Sequence, residues 1–133
     1  MTARQVKSRL RYAEKQIEVW RTRLKLDSKW EFEVVYLSDG DPEDPDKTLI
    51  LLDDSCAEYW KITVQLCPPL CNDADWERLT RKTICHELVH IILWQWSSFA
   101  NNMLGAKYTE ELRKLEEQAV QHLEEVFMEV KWR

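Results

Sequence analysis

The chain has 133 residues, a length that suits one core and one domain spanning 1–133. Apolar residues make up 44% and charged residues 32%, with a formal net charge of −5. That acidic balance excludes nucleic acid as the main partner, since phosphate binding requires a basic patch. No apolar run approaches the ~20 residues of a membrane span, and the opening residues lack the apolar stretch of a secretory signal, so the expected address is cytoplasmic.

Residues 3–25 carry Val6, Leu10, Ala13, Ile17, Trp20 and Leu24 in alternating steps of four and three. That spacing makes one apolar helical stripe, expected to pack on the core rather than on a second chain. Residues 30–38 alternate, with Trp30, Phe32, Val34 and Tyr36 on one face, and predict a strand. Residues 38–46 form an acidic loop whose carboxylate spacing fits no calcium loop.

Residues 48–52 predict a short second strand, followed by a turn at Asp53, Asp54 and Ser55. Residues 58–66 predict a third strand, with Trp60, Ile62, Val64 and Leu66 facing one side. Pro68 and Pro69 end it. Cys56, Cys67, Cys71 and Cys85 read as buried thiols. The four-residue step from Cys67 to Cys71 leaves a disulfide or half a metal site as alternatives.

Asp73 or Asp75 caps a helix over residues 75–97. Residues 97–107 predict a loop with Gly105 as its flexible point, and Thr109 caps a last helix reaching Val130. The order helix, three strands, helix, helix defines an α+β fold with a small, mostly antiparallel sheet.

The motif helix contains His86-Glu87-Leu88-Val89-His90. Histidines four apart share one helix face, so their imidazoles can converge on one Zn²⁺. Glu87 sits about 100° around the helix, where it can reach a metal-bound water as general base without being a ligand. Ile84, Cys85, Leu88, Val89, Ile91, Ile92 and Leu93 make the helix apolar nearly all round, and thus buried. Two histidines and a glutamate in such a helix need partners, which a shared metal and water would supply; the alternative is two core histidines bonded to backbone.

A catalytic zinc takes a third protein ligand. With Leu115 set at 0°, the apolar stripe of the last helix centres at about 70°, Glu116 falls at about 100° and Glu117 at about 200°. Glu116, a carboxylate inside that stripe, is the preferred third ligand; Glu117 and His122 remain alternatives. Tyr108, in the loop before this helix, is a candidate donor to a developing oxyanion, or a loop-packing tyrosine.

The motif His86-Glu87-Leu88-Val89-His90, with a later helical glutamate, resembles the gluzincin branch of the zinc metallopeptidases. The whole layout resembles minimal phage-type metallopeptidase-like proteins and, more distantly, is similar to the ImmA/IrrE peptidases. The resemblance implies a zincin-like fold, Zn²⁺ held by His86, His90 and Glu116, and Glu87 as general base of a peptidase. It also implies an edge strand, 58–66, on which a peptide substrate adds as a further strand. The chain departs from the family pattern in two places: Val89 stands where ImmA/IrrE-like members often have glycine, and Val120 or Gln121 stands where gluzincins often have Asp or Asn. Two other functions fit this reading: a non-catalytic zinc-stabilised binding module, and a phage regulator acting on a repressor.

Overall fold

The computed structural model describes residues 1–40, 43, 49–53 and 59–132. Its elements are α1 (Ala3–Arg23), β1 (Glu31–Tyr36), β2 (Ile50–Asp53), β3 (Lys61–Leu66), α2 (Pro68–Cys71), α3 (Trp76–Leu104) and α4 (Thr109–Glu129). They form an α+β arrangement of two compact units, Met1–Ile84 and Cys85–Arg133.

In the first unit, α1 begins at a capping box. The Thr2 hydroxyl accepts from the Gln5 amide at 3.2 Å, and the Gln5 side chain accepts from the Thr2 amide at 2.8 Å. The expected stripe is the buried face, with Ala13, Ile17 and Trp20 in the core. The helix closes at Leu24, and Lys25 turns the chain in the left-handed region at φ 53°. α1 packs against β1, and the Arg21 guanidinium donates to the Trp30 carbonyl. Near its start, Arg9 stacks on the Trp76 ring at 4.2 Å and Tyr12 meets that ring edge-on at 5.1 Å.

The sheet has the order β1-β3-β2. β2 and β3 are antiparallel, with Ile50 opposite Leu66, whereas β1 and β3 are parallel, with Glu31 opposite Lys61. The expected mostly antiparallel sheet is therefore mixed. Residues 37–60 are long enough to carry the chain past the neighbouring position before β3 returns into the middle, as a parallel pairing requires. Ile62, Val64 and Leu66 are buried on one face, following the period of two read from the sequence.

Strand 58–66 needs two corrections. It starts only at Lys61, because Trp60 adopts φ 63° as a turn residue, its ring 5.0 Å from Trp30. It is also the central strand, hydrogen-bonded on both sides, so it offers a substrate no free edge.

Cys67, Cys71 and Cys85 are buried thiols, as expected; Cys56 lies outside the described residues. So do most of the acidic loop and the turn at Asp54 and Ser55. The loop's first turn is described: Gly40, at φ 72°, donates to the Leu37 carbonyl at 3.0 Å. Pro68 and Pro69 end β3 and also open the short helix α2, where their missing N–H groups are harmless.

α3 is longer than expected. Residues 97–104 continue the helix instead of forming a loop, and the Ser97 hydroxyl donates back to the Leu93 carbonyl at 3.1 Å. Gly105, at φ 78°, stops it, its amide donating to the Asn101 carbonyl at 2.9 Å. A single 3-10 turn, Ala106–Tyr108, leads into α4, so Tyr108 rather than Thr109 holds the cap position. Among the described residues, no helix is long and apolar enough to cross a membrane.

Candidate metal centre

The second unit brings α3 and α4 together through their polar side chains. His86 and His90 lie one turn apart, their ring centroids 5.0 Å from each other. Glu117 of α4 bridges them. One of its oxygens is 3.0 Å from His86 Nε2 and the other is 3.0 Å from His90 Nε2. The ligand atoms of these three residues all fall within 4.8 Å of one another, so His86, His90 and Glu117 form a group that could hold a metal ion.

The other ring nitrogens are also engaged. His86 Nδ1 is 2.8 Å from Glu124 Oε2, and His90 Nδ1 is 3.5 Å from Glu116 Oε1. Each imidazole therefore has a carboxylate near both of its ring nitrogens, Glu117 at Nε2 and either Glu124 or Glu116 at Nδ1. The pairing of His86 with Glu124 and of His90 with Glu116 means that the two helices run antiparallel at this point.

The sequence favours Glu116 as third ligand; the structure brings Glu117 to the Nε2 atoms of both histidines and Glu116 to Nδ1 of His90. The helical wheel centres the apolar stripe at about 70°, near Leu112, with Leu115 at its edge. Leu115 is in fact 61% exposed, whereas Val120 and Glu124 are buried. On the same wheel Val120 lies at about 140° and Glu124 at about 180°, so the inward face is turned by roughly 90° from its expected centre. Glu116 and Glu117 then straddle Val120, and both reach the histidines.

In the sequence Glu124 is one of several downstream carboxylates. The available signal was its position four residues after Val120, on the same face. His122 is exposed and stands outside the cluster. Tyr108 is 44% exposed; its ring lies 5.7 Å from Lys107 Nζ, and it takes no part in the His–Glu group.

Glu87 is half-buried on the motif helix. Burial pushes its carboxyl above the ordinary range, His90 and His86 pull it down, and Glu117 and Glu124 push it up again. Four carboxylates thus accompany two imidazoles. Carboxylates outnumber imidazoles in this cluster, and a divalent cation is one species that would balance such a donor set.

A separate cavity of about 360 Å³ lies at the end of the sheet where β1 and β3 begin, lined by Glu31, Phe32, Asp53, Lys61 and neighbouring residues. None of the candidate site residues read from the sequence lines it. No family model matches the chain, nor does any curated protein or solved structure.

Proposed function

We propose that the chain is a zinc-dependent metallopeptidase, with His86, His90 and Glu117 as ligands and Glu87 as general base. The observation that carries this reading is the pair of 3.0 Å separations from one carboxylate to the two Nε2 atoms. Two imidazole nitrogens and a carboxylate oxygen, all within 4.8 Å of one another, are a donor set of the kind that zinc takes. A set of two imidazoles and one carboxylate also leaves a fourth position for water, as hydrolytic zinc sites do.

Held by these three residues, the ion would polarise the scissile carbonyl and activate a water for attack. The rest falls to the chain's own residues. Glu124 and Glu116 hold the imidazole rings in one tautomer and orientation. Glu87 takes the proton of the attacking water and returns it to the leaving amine. Exposed or unfolded peptide segments are the substrates that a site this close to the surface can admit, since the side chain of Glu117 is 41% exposed.

The test compares wild type with Glu87→Gln after zinc loading, on an unfolded protein substrate. Wild type should release peptides, lose that activity to a chelator and regain it with zinc. Glu87→Gln should bind zinc equally and hydrolyse ~10²–10⁴-fold more slowly. Equal rates for the two proteins, or a zinc-loaded wild type without hydrolysis, would leave only a metal staple between two helices.

A further inference from the structure

The second half of α3 carries a surface that the metal site does not use. Ile92, Trp96, Phe99 and Met103 are 40%, 73%, 59% and 69% exposed. They follow one another by four, three and four residues, which places all four within an arc of about 60° on the helix. Isolated exposed apolar residues are ordinary, but a contiguous stripe is not. With large side chains offering up to ~200 Å² each, the stripe presents on the order of 500 Å² of apolar surface.

Two further observations indicate what covers it. Residues 91–106 contain no ionisable side chain, in a chain whose net charge is −5. Two acidic chains can meet along this stretch without like-charge repulsion, whereas an anionic lipid surface or a charged partner finds no complement there. The spacing four, three, four is also the same read in either direction. An antiparallel copy of the helix, related by a two-fold axis between Ser97 and Ser98, therefore sets Ile92 against Met103 and Trp96 against Phe99.

We propose that this stripe joins two copies of the chain in an isologous, antiparallel helix pair. Standard interfaces bury about 800 Å² on each partner around an apolar centre. The stripe supplies that centre, and exposed Leu104 with the neighbouring amides and hydroxyls supplies the rim. The pairing is independent of whether the His–Glu group holds a metal.

The experiment is sedimentation of the full chain across a micromolar concentration range, with circular dichroism to verify the fold of each variant. Wild type should show a monomer–dimer equilibrium. Trp96→Lys should weaken it roughly tenfold or more, as should Ile92→Lys or Met103→Glu alone. Ile92→Lys and Met103→Glu in one chain should restore it, because the introduced opposite charges face each other across the axis. A wild type that stays monomeric at every concentration overturns the proposal. So does a double variant no better than its parents, or a monomer that instead floats with neutral phospholipid vesicles.

Discussion

The Nδ1 atom of His86 stands 2.8 Å from a carboxylate oxygen of Glu124, itself only 6% exposed. A carboxylate is rarely buried unless a hydrogen-bond donor meets it, and here the donor is one of the two motif histidines. The contact ties the far part of α4 to the motif helix, while Nε2 of the same ring faces Glu117.

Removing that carboxylate should loosen the site without removing a ligand. Glu124→Ala should weaken zinc binding by about 10–100-fold, the range found for outer-shell partners of metal-bound histidines. Glu124→Gln keeps an acceptor for Nδ1–H and should lose less. Competition titration against a chromogenic chelator measures both, and equal affinities for wild type and Glu124→Ala would show that the contact does not serve the metal.

The neighbouring glutamates should separate cleanly. Glu117→Ala should abolish stoichiometric zinc binding, because both Nε2 atoms lose their shared carboxylate. Glu116→Ala should still bind one ion, with roughly tenfold lower affinity at most, since its 3.5 Å contact is with the outer nitrogen of His90. Metal analysis of the two purified variants distinguishes them; the opposite pattern would restore the assignment made from the helical wheel.

Alkaline stability should depend on Cys71. Burial pushes its thiol from 9.0 up to about 11, against the pull of Arg9. Between those values the unfolded chain has released this proton and the folded chain has kept it. The folded state therefore binds more protons, and stability falls as pH rises from 9 toward 11. The decrement attributable to this thiol is on the order of 1–2 kcal/mol. Urea unfolding of wild type and Cys71→Ala across that window should show the steeper fall in wild type.

The end of α1 offers a backbone prediction. Lys25 is exposed and holds φ 53°, a region that disfavours side chains and suits glycine. Lys25→Gly should raise stability by about 1 kcal/mol, read as a higher thermal midpoint. A lower midpoint would mean that the lysine side chain contributes more there than its conformation costs.

Much of this molecule is legible along the chain because its signals are local. The stripe from Val6 to Leu24, the alternation from Ile62 to Leu66 and the four-residue step from His86 to His90 each follow from one element's own period. What was not legible depends on pairings between elements. The central position of β3 is decided by a partner on each side, and neither strand announces its direction. The choice between Glu116 and Glu117 turns on which way α4 is rotated, and apolar residues on both flanks of that helix blurred its inward face. The true length of α3 was masked by the polar run of Ser97, Ser98, Asn101 and Asn102, which imitates a loop while Trp96, Phe99 and Met103 keep a helical period.

The proposed chemistry requires one divalent ion among His86, His90 and Glu117. Metal content of the chain, purified, stripped and reloaded with zinc under dialysis, tests it most directly. One zinc per wild-type chain is predicted, with none retained by His86→Ala, His90→Ala or Glu117→Ala. A wild type that retains no zinc, or variants that retain as much as wild type, would contradict it.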